Sequence, residues 1–277
     1  MMYTPIQFID NRHLHHQLTY REIPACASLR PFVACYWYLE SSSPLLEEVP
    51  HRVLPDGCVD ILFDITAGEV RFVGVMSEAD VIPLIGDVHS MGIRFYLHSI
   101  PFLLNGESSF LANSMLRLGE VWGSQAAFAD KVLMPELSVA QRIKVIEKEL
   151  ISRFKHYDPD PKWCGMLNLI TEKNGKITIA ELAEYYTISE RHISRTFKAL
   201  AGITAKEYTN IIRFQNVLRQ LKQMNSSINW SDLSVHSGYY DQSHFINEFK
   251  KRYGITPGSL IAGACPIFPI QSPLSLV

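Results

Sequence analysis

Apolar positions along this chain change rhythm near residue 125. Before it they alternate with polar residues or run in short blocks. "FVACYWYLE", "CVDILFDIT", "EVRFVGVM", "DVIPLIG" and "MGIRFYLHSI" are β-branched or aromatic and bounded by Pro, Gly, Asp or Ser, which predicts strands. Side chains alternate across a strand, so Val59, Ile61, Phe63 and Ile65 share one face and Asp60 and Asp64 the other. Pro55-Asp56-Gly57 predicts a turn, since proline presets φ and glycine tolerates a positive one. Several strands at short spacing predict a small β-barrel or sandwich. Past residue 124 the apolar spacing becomes three and four. Val139, Ile143, Ile146, Leu150 and Phe154 form one helical stripe. Ile143, Ile146 and Leu150 suit either a seam between two copies or a cover over the barrel.

"KHYDPDPKW" interrupts this pattern with prolines and aspartates. It divides the chain into a domain at 1–157, a linker at 158–162, a helical domain at 163–262 and a Pro-rich apolar tail at 263–277. The expected class is α+β with two domains, the second all-α with seven helices. Thr178 with Glu181 three residues later reads as a capping box, and Ser189 opens the next helix.

Within the helical half the chain repeats itself. "YYTISERHISRTFKALAGIT" from Tyr185 is echoed by "SGYYDQSHFINEFKKRYGITP" from Ser237. The offset is 52 from His192/His244 through Gly202/Gly254, and 51 before the turn (Leu182/Leu233), so the second turn is one residue longer. Each unit is helix, turn, helix, the arrangement whose second helix enters the DNA major groove. The recognition helices fall at about 189–201 and 241–253. On the first, Ile193, Phe197 and Leu200 point inward, while Arg191, Arg195 and Lys198 point outward. On the second, Phe245 and Phe249 point inward, with Ser243, Asn247 and Lys250 opposite and His244 and Lys251 beside them. Arginine can bond guanine bidentately or hold phosphate, and asparagine suits adenine. A joining helix of roughly 20 residues spans about 30 Å, close to the ~34 Å of one DNA turn.

Residues 163–262 resemble the DNA-binding domain of the AraC/XylS family of bacterial transcription regulators. The likeness rests on Ser-Gly-Tyr, Gln-Ser-aromatic-Phe, Phe-Lys-Lys and Gly-x-Thr-Pro in the second unit. It implies base or phosphate contacts at Arg191, Ser194, Arg195 and Lys198, and at Gln242, Ser243, His244 and Asn247; the helix pattern adds Lys250. Asn247 stands where the family commonly has arginine. Ser259-Leu260 fall in the stretch where the family often reads Thr-Pro-x-x-Tyr-Arg. "HRVLPDGCVDILFD" and "MGIRFYLHSI" resemble, more loosely, an N-terminal domain of some members, with Leu97-His98-Ser99 where Pro-Gly often follows. The resemblance implies a cupin-like domain that senses a ligand, dimerises, or both. The partners implied are double-stranded DNA, RNA polymerase, a small-molecule effector and a second copy of the chain.

Charge sharpens the division. The chain's formal net charge is -2, yet 163–253 holds 12 Lys and Arg against 8 Asp and Glu, and the remainder 14 against 20. A mildly basic domain on an acidic one suits a polyanionic partner. No apolar run approaches the ~20 residues that cross a bilayer, and the N-terminus lacks the pattern of a secretory signal. Five cysteines without a C-x-x-C pair point to reduced thiols and a cytoplasmic setting, with Cys35 and Cys58 as core residues. His51, His89 and His98 lack the close spacing of a metal-binding strand, and "HLHH" at 13–16 reads as a solvated run, so neither metal nor cofactor is expected. No hydrolase, nucleotide-loop or zincin motif occurs, and no catalytic residue is assigned. Arg52, Arg71 and Arg94 are candidates for an anionic effector; the alternative is ion pairing with Asp60, Asp64 or Glu69. Two other readings stay open: a constitutive regulator whose N-terminal domain only dimerises, and an enzyme with an accessory DNA-binding module, for which Cys26 and Cys35 offer no convincing set.

Overall fold

The structure, a computed structural model, describes residues 3–7, 15–104, 108, 110–223 and 229–260, with the backbone of 261 and 275–276. Residues 13 and 14 of the histidine run and most of the tail lie outside the described residues.

Eight strands build the N-terminal half: β1 Leu18–Ile23, β2 Val33–Ser41, β3 Leu45–Val53, β4 Cys58–Asp64, β5 Glu69–Val73, β6 Asp80–Gly86, β7 His89–Tyr96 and, after the short helix α1 (Ile100–Leu104), β8 Ser114–Arg117. They form two sheets rather than one closed barrel. The larger runs β1-β2-β7-β4-β5-β8, with Ser275–Leu276 (β9) parallel on its edge, and β3 pairs with β6 alone. The alternation read in "VDILFDI" sets the layers. Val59, Ile61 and Phe63 join Phe72, Met91, Ile93 and Phe95 in the core on one face. On the other face Asp60, Leu62 and Asp64 look toward β3 and β6.

Three strands escaped the sequence pattern. β3 carries Glu47, Glu48 and Pro50, and Pro50 lies opposite Pro83 of β6. Proline is tolerated only where a strand has an unpaired edge, and a two-stranded sheet is all edge. β1, "LTYREI", is polar because it borders the large sheet, and β8 is four residues long.

After α2 (Leu118–Trp122) and α3 (Phe128–Leu133), the long helix α4 (Val139–Phe154) covers the core face of the sheet. Ser138 caps it by accepting from the Gln141 backbone N–H. Ile146 and Leu150 are fully buried in that core, Ile143 packs against it, and Phe154 stacks on Phe32 at 4.4 Å. The apolar stripe of α4 is therefore the cover of the β-domain and not a seam between copies.

Among the described residues seven helices follow, as the pattern predicts: α5 Pro161–Glu172, α6 Ile179–Tyr186, α7 Glu190–Ala201, α8 Ala205–Gln223, α9 Trp230–His236, α10 Gln242–Tyr253 and α11 Pro257–Ile261. Asp160 caps α5, Thr178 and Glu181 form the predicted capping box on α6, and Ser189 caps α7. The apolar face of α5 to α7 joins the first part of α8 in one core that is continuous with the β-domain. α9 and α10 pack on the second part of α8 through Phe214, Val217, Leu218, Phe245 and Phe249, and that core takes in Leu54 and Ala79 of the β-domain. Arg213 of α8 braces the two units: it donates to the Gly175 carbonyl at 2.7 Å and lies over the Tyr239 ring.

The β-domain grips α8 through a buried side chain. Gln215 is fully buried; its Oε1 accepts from the Ile6 N–H at 2.7 Å, and its Nε2 donates to the carbonyls of Ile6 and Pro55 at 3.0 and 2.9 Å. Gly57 (φ 73°) sits against Tyr208, where a Cβ would come within 2.9 Å of the ring. Replacing Gln215 by leucine orphans three backbone groups, and an unpaired buried group costs about 1–3 kcal/mol. Gln215→Leu is expected to lower urea stability by at least that much, while Gln223→Leu, exposed at the end of α8, stays within about 0.5 kcal/mol of the parent.

Candidate nucleic-acid interface and ligand cavity

On α7 the buried residues are Ile193, Phe197 and Ala201. Arg191, Ser194, Arg195 and Lys198 are all exposed, and their spacing of three, one and three puts them on one face. Lys198 also closes its own helix, its Nζ donating to the Gly202 carbonyl at 2.8 Å. On α10 the buried residues include Phe245, Phe249, Arg252 and Tyr253. Gln242, Ser243, His244, Asn247 and Lys250 are exposed, with Asp241 accepting from the His244 N–H at 2.7 Å to cap the helix. Thus each helix brings its own predicted residues to an outward face.

The extra residue of the second turn can be located. Thr187 and Gly238 occupy equivalent left-handed positions (φ 52° and 80°), and Ser189 and Asp241 equivalent caps. Between them the first unit has Ile188 and the second Tyr239 and Tyr240. Tyr239 is buried, while Tyr240 is 91% exposed at the start of α10. The repeat offset marks this position, although side-chain pattern alone did not single it out.

The β-domain touches the C-terminal ends of both helices. Ser108 Oγ donates to the Ala199 carbonyl at 2.6 Å, and Gly202 (φ 71°) lies so close to Ser108 that a Cβ would sit 2.5 Å from its carbonyl oxygen. At the end of α10, Arg252 donates to the Ser77 carbonyl at 2.7 Å and pairs with Glu248 at 3.2 Å; Lys251 lies 3.6 Å from Glu78. Arg52 donates to the Tyr253 carbonyl at 2.5 Å and stands over its ring.

Between the two sheets lies a cavity of about 170 Å³. Its walls include Trp37, Leu62, Met115, Asp56, Asp60 and Arg94. Arg94, 4% exposed, is held by Asp56 at 3.0 Å, Glu22 at 3.2 Å and Asp60 at 3.3 Å. Burial works against its charge, but Asp60, Tyr20 and Asp56 together raise its pKa well above the ordinary value. Burial pushes Asp60 up to about 6 against the opposing pull of Arg94. Burial alone lowers His51, also in the wall, to about 4.

The three candidate arginines are not brought together. Arg94 lines the cavity, Arg52 turns away to Tyr253, and Arg71 pairs with Glu69 outside the wall. His89 and His98 do not line the cavity with His51, and the described residues contain no His, Cys, Asp or Glu group able to hold a metal ion. Nor is any described helix long and apolar enough to cross a membrane. Cys35 and Cys58 are buried; burial pushes Cys35 up to about 12 and Cys58 well above its usual value.

One segment serves cavity and helices alike. From 51 to 58, His51, Val53, Leu54, Asp56 and Cys58 face the cavity. The interleaved Arg52, Pro55 and Gly57 meet Tyr253, Gln215 and Tyr208. The strap at 3–7 reinforces this: Tyr3 donates to the Asp56 carbonyl at 2.6 Å, and Gln7 Nε2 to the Asp56 carboxylate at 2.8 Å.

Two helix-turn-helix units packed on one joining helix define a tandem helix-turn-helix DNA-binding domain. The family described as "Helix-turn-helix domain" matches residues 182–262, and a domain of unknown function (DUF6597) matches 21–117. The bifunctional transcriptional activator/DNA repair enzyme AdaA of Bacillus subtilis is 35% identical over 101 residues, 36% of this chain and 47% of that protein. The transcriptional regulator MxiE of Shigella flexneri is 32% identical over 89 residues, 32% of this chain and 41% of that protein. The chain thus spans under half the length of these relatives. The solved structure of ToxT from Vibrio cholerae aligns over 90% of this chain and 99% of that one, at 11% identity and a TM-score of 0.40. Residues 182–262 are thus similar to the helix-turn-helix regions of transcription regulators.

Removing Arg94 would leave three carboxylates around an empty centre. Breaking a buried ion pair from one side costs about 3–5 kcal/mol, the loss expected for Arg94→Met at pH 7 by urea unfolding. Asp60, its folded pKa already raised, takes up a proton as pH falls, so the deficit relative to the parent is expected to shrink between pH 7 and 5.

Proposed function

We propose that this protein is a sequence-specific DNA-binding transcription regulator, controlled by a small molecule held in its N-terminal cavity. One observation carries the reading: two helices bury apolar stripes and expose polar ones, and the helix that joins them is gripped by the cavity wall. In this reading Arg191, Ser194, Arg195 and Lys198 contact one major groove, and Gln242, Ser243, His244, Asn247 and Lys250 the next. The 19 residues of α8 extend about 28 Å at ~1.5 Å each, compatible with sites one DNA turn apart. The sensing domain ends before the break at 158–162, and the DNA-binding domain follows from 163. Its partners are double-stranded DNA, RNA polymerase and the effector.

The coupling follows from the 51–58 segment. A ligand that shifts Leu54 or Asp56 shifts Pro55 and Gly57 with them, and so acts on Gln215 and Tyr208 of α8. This reading assigns no catalytic residue; Cys35 and Cys58 are buried core thiols that burial pushes above their usual range.

Sequencing the fragments that the purified protein selects from random DNA tests the reading; no enriched motif would reject it. On a selected fragment, Arg195→Ala is expected to reduce discrimination by about 1–3 kcal/mol; equal losses on specific and random DNA would remove Arg195 from base reading. Lys198→Ala is expected to weaken all fragments evenly and flatten the salt dependence by about one unit.

A further inference from the structure

The charge and shape of the cavity wall bear on what enters it, given the reading that it holds a small molecule. Asp56, Asp60 and Asp64 face the cavity, with Glu22 reaching Arg94 from outside it. Arg94 is already paired with three carboxylates within 3.3 Å. An anion seeking that guanidinium would have to displace a carboxylate that is itself enclosed, and would add a negative charge to an acidic wall. Coulombic repulsion is least screened in such a site.

The wall also offers what a cation needs. Trp37 lies against Gly92, where a Cβ would come within 2.2 Å of the ring, so the indole occupies the space a side chain would take. Its Nε1 donates to Asp60 at 2.8 Å, fixing ring and carboxylate side by side. Aromatic faces attract cations, and the Asp60 carboxylate at the indole edge adds charge of opposite sign nearby. Leu62, Val73, Ile82, Leu84 and Met115 supply apolar surface for the rest of a ligand. The 170 Å³ of space compares with the ~150 Å³ that admits benzene.

We infer that the cavity binds a small organic cation, an amine with a compact apolar body, its ammonium group set against Asp60 and Asp64 beside the Trp37 ring.

Titration calorimetry and thermal melting of the full chain test the assignment with isosteric probes: benzylamine and cyclohexylamine against benzoate and benzyl alcohol. Both amines are expected to bind and raise Tm, at least tenfold more tightly than benzoate. Asp60→Asn is expected to weaken the amines tenfold or more. Should that variant fail to fold, Asp64→Asn, farther from Arg94, is expected to weaken them at least threefold. Benzoate or benzyl alcohol binding as tightly as the amines would overturn the cation while leaving the cavity as a ligand site. Binding by none of the four probes would overturn the cation assignment, while fragment selection on DNA reports separately on the regulator reading.

Discussion

Three bodies meet on α8, and that convergence constrains the rest of the molecule. The helix must bury one stretch against the first helix-turn-helix unit and another against the second, and still offer a flank to the β-domain. A helix buried so nearly all round loses the usual polar stripe, and its internal polar groups must find partners there. Gln215 finds three in backbone groups of residues 6 and 55; Thr209 bonds the Ala205 carbonyl of its own helix. Arg213 is turned to the seam between the two units instead of to solvent. Each of these would be costly without its partner, so the positions of the two units and of the β-domain are specified together.

Much of this was legible in the chain. The repeat at an offset of 52 identified both helix-turn-helix units, and the hydroxyl caps at Thr178 and Ser189 marked helix starts, because local hydrogen bonding determines those features. The alternation in "VDILFDI" put Val59, Ile61 and Phe63 on one face and Asp60 and Asp64 on the other, the faces that become core and cavity wall. What stayed hidden depends on contacts far apart in the sequence. β3 reads as a polar segment with a proline, and only its isolation with β6 makes it a strand. The stripe on α4 is equally suited to a second copy or to a sheet, and only the position of Phe32 and Phe95 decides in favour of the sheet.

The arginines illustrate the same limit. Arg52, Arg71 and Arg94 all lie in strand-like sequence, and nothing local tells a guanidinium that awaits a ligand from one already enclosed by carboxylates. Arg94 differs because Glu22, Asp56 and Asp60 reach it from β1, from a turn and from β4. The face opposite Val59, Ile61 and Phe63 held the useful signal: two aspartates on the inner side of a central strand, where water is scarce and charge is expensive.

The interleaving of residues 51–58 separates two kinds of evolutionary change. In the proposed sensing role, selectivity can change through Trp37, Leu62 or Met115, which line the cavity outside the 51–58 stretch. Within the shared stretch, any residue that alters one side moves its neighbours on the other. If the cavity serves the proposed sensing role, selectivity is therefore free to change on one wall and tethered on the opposite one, and a laboratory effort to retune it would do best to leave the tethered wall as it stands.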